Sequence, residues 1–243
     1  MSEQQPERAQ FYLTSPMPCP YLDGKMERKL FTHLSGRRAA VMHELLAQHG
    51  FRRSQNIIYR PACENCAACE SARILVGEFE PTRVQRRIAR RNGDVASTEM
   101  FPQASARQYE LFKRYLFARH AFGGMTSMSF LDYEFMVEDT PVKSAVIEYT
   151  LAAPDGGERL AGVALTDLLP DGLSMVYSFF DPDLDRRSLG SFMILDHIKR
   201  AKAAGLPHVY LGYWVKDSPK MAYKGAFKPL ETLTGGQRWR RVE

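Results

Sequence analysis

No stretch of the 243-residue chain offers the roughly 18–20 uncharged apolar residues that a membrane helix needs, so no membrane partner is expected. The start, Met1-Ser2-Glu3-Gln4-Gln5-Pro6-Glu7-Arg8, has no apolar h-region, so a cytoplasmic protein is expected rather than an exported one. There is no P-loop, no G-x-G-x-x-G and no G-x-S-x-G elbow, which removes three common phosphate-binding and nucleophile motifs. His43-Glu44 does not complete a zincin motif, because position 47 is alanine. Repeats and low-complexity tracts are missing too. With 44% hydrophobic and 25% charged residues, the composition excludes a disordered, collagen-like or coiled-coil chain. One large domain or two small ones are expected at this length.

What is present is unevenly distributed. The net charge is only +5, yet Arg83, Arg86, Arg87, Arg90 and Arg91 fall between Pro81 and Gly93 with no acidic residue among them. Such a row attracts a polyanion; the plain alternative is a solvated helix face.

Residues 1–10 read as a polar, mobile leader. Helical spacing runs from Gly36 to Gly50, over Pro81–Asn92 with Gly93 as its cap, from Ser105 to His120, and over Phe130–Met136. Ala72–Phe79 reads as a strand. The second half opens with β-prone runs at Val142–Ala153, Leu160–Leu168 and Leu173–Phe180. The turns Pro154-Asp155-Gly156-Gly157 and Pro170-Asp171-Gly172 separate them, which predicts an antiparallel meander. A helix through Leu189, Phe192, Met193 and Ile198 follows, and then a strand at Val209–Val215. The last two strands are therefore expected to run parallel through a crossover. The fold class is α/β (α+β): an N-terminal region over residues 11–100 and a C-terminal domain over 101–243.

Cysteine is scarce and clustered. Cys63, Cys66 and Cys69 form C-x2-C-x2-C, and Cys19 precedes Pro20. Cytoplasmic thiols stay reduced, and this spacing suits an iron–sulfur cluster or zinc. Buried, unliganded cysteines are the alternative. His43, His120, His197 and His208 are expected to be structural.

Arg186-Arg187-Ser188-Leu189-Gly190-Ser191 opens a helix directly after an apolar strand, where backbone N–H groups meet an anion. Arg187-x-x-Gly190 resembles the pyrophosphate loop of the GCN5-related acyltransferases, although Phe192 replaces its final small residue. A GCN5-related acyltransferase-like C-terminal domain is expected, beside a smaller cysteine-bearing N-terminal region.

The run from Tyr210 to Pro229 joins an aromatic strand, Tyr210-Leu211-Gly212-Tyr213-Trp214, to Lys216, Lys220 and Lys224 at i, i+4 spacing. Lys220-Met221-Ala222-Tyr223-Lys224 and Phe227-Lys228-Pro229 complete it. This string resembles the signature of the aminoacyl-tRNA–protein transferases. Cys19-Pro20-Tyr21-Leu22 and Arg60-Pro61-Ala62-Cys63 match that family's N-terminal region, so the resemblance extends from about Phe11 to Trp239. The C-x2-C-x2-C spacing resembles the bacterial branch. The resemblance implies transfer of leucine from leucyl-tRNA to proteins beginning with Asp or Glu, which marks them for N-end rule degradation.

Such a reaction attacks an ester that is already activated, so proximity and oxyanion stabilisation suffice without a covalent nucleophile. Asp217 and Tyr223 are candidates for a general base. Lys220 and Lys224, with Arg60 and Arg73 as alternatives, are candidates to hold the acceptor's carboxylate. Phe179, Phe180 and Met193 would line a leucyl pocket. The tRNA would meet Arg83, Arg86, Arg87, Arg90, Arg91, Arg186, Arg187 and Gly190; Cys19, Cys63, Cys66 and Cys69 would form one metal site; and acetyl-CoA would not be the donor. Two other readings stay open: an acetyl-CoA-dependent N-acetyltransferase, and a metal-bearing nucleic-acid-binding regulator.

Overall fold

The computed structural model describes residues 9–121, 124–153, 156–234 and 238–243. Residues 1–8 of the expected leader, and Pro154-Asp155 of the first expected turn, lie outside the described residues.

The first half of the chain builds small, short-stranded sheets. β1 (Tyr12–Leu13), β4 (Lys29–His33), β6 (Ile57–Pro61) and β5 (Arg52–Ser54) lie in that spatial order, and β2 (Met17–Pro18) pairs with β3 (Met26–Glu27). α1 (Ala39–Gln48) closes a satellite core of Leu34, Ala39, Phe51 and Ile58.

An eight-stranded sheet dominates the rest. Its order is β14-β13-β7-β12-β11-β10-β9-β8. In chain order the strands are β7 (Glu70–Leu75), β8 (Ala96–Met100), β9 (Ser144–Ala152), β10 (Glu158–Leu169), β11 (Gly172–Phe180), β12 (His208–Trp214), β13 (Leu230–Thr234) and β14 (Arg238–Arg241). β9, β10 and β11 form the expected meander, and β10 turns into β11 at Pro170-Asp171. β11 and β12 are parallel, joined over α5 (Leu189–Ala203). Their near-continuous apolar sequence reflects burial on both faces.

α5 packs on one face, with Met193, Ile194 and Ile198 against Ile74, Val209 and Leu211. α3 (Ala106–His120) and α4 (Phe130–Glu138) cover a second cluster, in which Leu111, Phe112 and Tyr133 meet Val146, Leu165 and Phe179. Ser105 and Ser129 cap these two helices through capping boxes with Gln108 and Asp132. α2 (Arg83–Arg91) has the same device, Thr82 with Gln85, and ends at Asn92 rather than at Gly93.

The regions on either side of residue 100 share one sheet. β7 and β8 belong to the large sheet, and β7 sits between β12 and β13. The two halves are also latched by a buried polar cluster. Arg53 of β5 grips Asp167 of β10 through two hydrogen bonds of 2.8 and 2.6 Å, while His43 lies 3.3 Å from the same carboxylate.

Candidate active site

β11 and β12 are paired only over Gly172–Ser174 and His208–Tyr210; beyond that they part. Gly212 is the reason the end of β12 can bend. It has φ +76°, lies at a bulge against β7, and its missing side chain leaves space that Arg52 fills. A Cβ there would coincide with the guanidinium of Arg52. That group donates to the carbonyls of Met175 and Val176 at 2.7 and 3.3 Å. From the other side Lys224, buried at 8% exposure, donates to the carbonyls of Leu211 and Tyr213 at 2.8 and 2.7 Å. The carbonyls on both parted strands are thus met by cations. Burial pulls the Lys224 ammonium down to about 7, and the nearby charge of Arg52 adds to the shift.

This placement corrects the lysine pair. Residues 218–226 form a turn and a short 3-10 segment (Ala222–Ala226) instead of a regular α-helix, so i, i+4 spacing does not align the two side chains. Lys224 points under β12, whereas Lys220 is exposed, near His120. His120 is held below its ordinary range by burial and by the charges of Lys220 and Arg119, so it is uncharged at neutral pH.

Tyr223 has its ring half exposed (46%), and its phenol is pushed up to about 12 by burial and by Tyr115. A phenol held that high keeps its proton at neutral pH and is available as a hydrogen-bond donor. Asp217 is exposed on the turn after Val215.

A cavity of about 190 Å3 opens where the small sheet meets β7, β12 and β13, walled by Gly50, Arg60, Cys69, Ser71, Tyr213 and Leu233 among others. The Tyr213 hydroxyl lies 3.1 and 2.9 Å from the carbonyls of Gly50 and Tyr59, fixing the first half of the chain against the end of β12. Arg60 stacks on Phe51, 5.1 Å from its ring centre, and no carboxylate pairs with it among the described residues. Arg73, its companion candidate, is committed elsewhere. It forms a 2.8 Å ion pair with Glu231 and lies 4.2 Å over the ring of Trp239.

Cys69 brings the cysteines into the same neighbourhood. Its thiol is pushed up to about 12 by burial and by the nearness of Cys19, Cys63 and Cys66. Cys63 Sγ also lies 3.9 Å from the carbonyl of Arg28. A metal cation would reverse this mutual destabilisation, because its charge favours thiolates. The donor set therefore suits zinc or an iron–sulfur cluster. The side chains are neighbours without being converged: among the described residues no three of His, Cys, Asp or Glu surround one point at ligand distance.

The basic face is intact. All five arginines of α2 are exposed, and Arg186 continues the row. Arg91 donates to the carbonyl of Arg186, and Asn92 donates to that of Arg187 at 2.9 Å. Arg187 itself is spent in a two-pronged ion pair with Asp94, at 2.7 and 2.9 Å. Gly190 packs under Phe180, where a Cβ would come within 3.1 Å of the ring. In the free protein, then, Arg187 is engaged by Asp94 and Gly190 gives Phe180 its room.

The expected leucyl pocket is split: Phe180 and Met193 meet at Gly162, and Phe179 lies on the other face. Phe179 and Phe180 are consecutive on a strand and face opposite ways: Phe179 is buried against Phe112 and Tyr133, while Phe180 lies against Gly190. Met193 is fully buried in the α5 core. His43, His197 and His208 have structural partners; His197, held neutral by burial at about 4, bonds to Thr166 at 2.8 Å.

Sequence reasoning missed Arg52, Tyr213 and Gln85. Gln85 is buried in the basic helix and donates to the carbonyl of Ala226 at 3.0 Å, joining α2 to the lysine segment. Its signal was a glutamine in the one row where the neighbouring charges are all arginine.

Family models for the arginine-tRNA-protein transferase N terminus and C terminus match residues 17–87 and 107–234. An aspartate/glutamate leucyltransferase from Rhizobium leguminosarum bv. trifolii is 58% identical over all of this chain and 96% of its own length. One from Brucella ovis is 56% identical over the whole of both chains. Among solved structures, L-PGS from Bacillus licheniformis overlays with a TM-score of 0.50 at 12% identity, covering 87% of this chain and 65% of that one; it shows a shared fold. The chain belongs to the arginine-tRNA-protein transferase family, alongside the relatives named aspartate/glutamate leucyltransferases.

Proposed function

We propose that this protein, in the cytoplasm, moves leucine from leucyl-tRNA to the N-terminal amine of proteins beginning with Asp or Glu and so marks them for N-end rule degradation. One observation carries the reading beyond kinship: the exposed arginine row of α2 is tied, through Gln85 and Ala226, to the segment bearing the family signature. A polyanion lying along Arg83, Arg86, Arg87, Arg90, Arg91 and Arg186 delivers its end towards the parted strands β11 and β12.

In the reaction the amine nitrogen attacks the ester carbonyl. A C–N bond forms, the bond to the ribose oxygen breaks, and the proton given up by nitrogen is balanced by one gained at that oxygen. No side chain becomes acylated. Tyr223 contributes a donor, suited to an oxyanion or to the leaving oxygen. Lys224, about half protonated at pH 7, holds the carbonyls of β12 in place. A zinc ion or iron–sulfur cluster on Cys19, Cys63, Cys66 and Cys69 would cross-link the first half of the chain beside the cavity.

The test is to incubate the protein with radiolabelled leucyl-tRNA or arginyl-tRNA and peptides starting with Asp, Glu, Lys or Ala. Label is expected on Asp and Glu peptides from leucyl-tRNA. Label from arginyl-tRNA alone, or on Lys peptides alone, refutes the proposal.

A further inference from the structure

We infer that the cavity bounded by Arg60, Ser71 and Tyr213 receives the acidic side chain of the acceptor's first residue, with Arg60 as the group that selects it. The inference rests on the transferase reading and adds to it the location and chemistry of acceptor selection.

Elimination gives the first argument. Of the four cations that sequence reasoning offered for the task, Arg73 is neutralised by Glu231 and stacked on Trp239. Lys224 is turned under β12, and Lys220 stands exposed on the outer turn. Of the four, Arg60 alone lines this half-open cavity, and it has no carboxylate partner among the described residues.

The second argument is electrostatic. No Asp or Glu lines the cavity, and its basic lining residues are Arg60 and His49. Arg60 is in its wall. Arg52 lies behind it, 5.8 Å from the ring centre of Tyr213, and Lys224 is bonded to the Tyr213 carbonyl. Neither Arg52 nor Lys224 has an ion-pair partner among the described residues. A half-buried cation with no counter-charge is costly, and a carboxylate entering this space meets Arg60 directly.

Size and position supply the third. About 190 Å3 is below the roughly 300–1,000 Å3 of cofactor-sized sites, so the cavity suits one short side chain. It opens beside Tyr213 near the end of β12, three residues before Lys216. An acidic side chain seated against Arg60 therefore leaves the attached amine near the end of β12. A guanidinium presents two parallel donors to a carboxylate, which a lone ammonium does not.

The experiment compares wild type with Arg60→Met and Arg60→Lys, using peptides that start with Asp, Glu, Asn and Ala. KM and kcat are measured for each, with leucyl-tRNA affinity and thermal unfolding on the same preparations. Arg60→Met is expected to raise KM for Asp and Glu peptides on the order of 30-fold or more. Values for Asn and Ala peptides, leucyl-tRNA affinity and kcat should move little, and Arg60→Lys should fall between. A Met variant that folds and keeps the wild-type ratio of Asp to Asn overturns the inference. If that variant does not fold, the Lys variant decides: an unchanged ratio overturns it in the same way. Wild-type protein that transfers no leucine to any peptide refutes the transferase reading itself, a separate result.

Discussion

The two ends of β12 carry similar residues in opposite electrostatic states. At its start, every charge is answered. Tyr210 donates to Asp171 at 2.7 Å, His208 lies 3.3 Å from the same carboxylate, and Arg73 is paired with Glu231. At its far end Arg52, Lys224 and Arg60 form no ion pair among the described residues, although Glu70 stands opposite Trp214 in register, and the indole N–H of Trp214 is buried with no partner. A fold built for stability alone would balance both ends. Unanswered polar groups persist where a ligand supplies the missing partner, so the first end reads as scaffold and the second as site. The contrast makes a general prediction: changes at balanced clusters act on stability, and changes at unbalanced ones act on binding.

The largest effect belongs to the balanced class. Asp167 is fully buried, and burial opposes its ionisation. Hydrogen bonds from His43 and Arg53, with the charge of Arg53, still hold the carboxyl below its ordinary range. Asp167→Ala leaves a buried guanidinium without its partner and should cost about 3–5 kcal/mol, read by chemical denaturation. Smaller, and diagnostic for the cysteine cluster, is metal removal. Protein prepared without oxygen should contain stoichiometric zinc or iron by elemental analysis. Cys69→Ser should lower metal content and melting temperature together, as expected when metal binding feeds folding. Full stability with no metal from such a preparation counts against the site.

The sequence made much of the scaffold legible. Helices α1 to α5 and strands β9 to β12 lie where periodicity, caps and Gly/Pro turns put them, and β11 and β12 are parallel as the crossover requires. What escaped were short or solitary strands. β1 to β6 are mostly of two or three residues, too short to show a period of two. β7 was recognised as a strand, but nothing local says that it crosses into the second half's sheet. The site was legible as chemistry more than as geometry. The arginine row is exposed as expected, and the cysteines are neighbours. The i, i+4 lysines failed because Ser218-Pro219 breaks the regularity that the spacing assumed. Arg52 and Tyr213 act across more than a hundred residues of sequence, which no single-chain pattern encodes.

Lys224 gives a pH test of the unbalanced end. Its folded value near 7 is below the ordinary lysine value of 10.5, so between the two the unfolded chain binds the proton and the folded chain does not. Stability from this group therefore rises as pH climbs from about 7 towards 10.5, and the penalty of burying the charged form is fully present below 7. Lys224→Met should remove that slope, by an amount on the order of a few kcal/mol across the interval. Denaturation midpoints at pH 6, 7.5 and 9 check it; parallel profiles for wild type and variant would show that Lys224 titrates normally.

The smallest effect on stability is expected at the arginines of α2, where the comparison is sharpest. Arg83, Arg86 and Arg87 sit in the first half of a helix whose positive end they oppose, with no acidic residue in the first turn. Scaffold reasoning alone would not put them there. Replacing Arg86, Arg87, Arg90 and Arg91 by glutamine should leave stability within a few tenths of a kcal/mol, or slightly raise it, because repulsion and the dipole conflict are both relieved. Affinity for leucyl-tRNA should fall, and its dependence on salt should flatten by up to roughly 0.9 in log–log slope for each phosphate no longer neutralised. Turnover at saturating tRNA should change little, since these groups hold the backbone and not the ester. If the slope is unchanged across a salt series, the row is a solvated face. If turnover falls while affinity holds, the arginines act on the reacting end of the tRNA instead of its backbone.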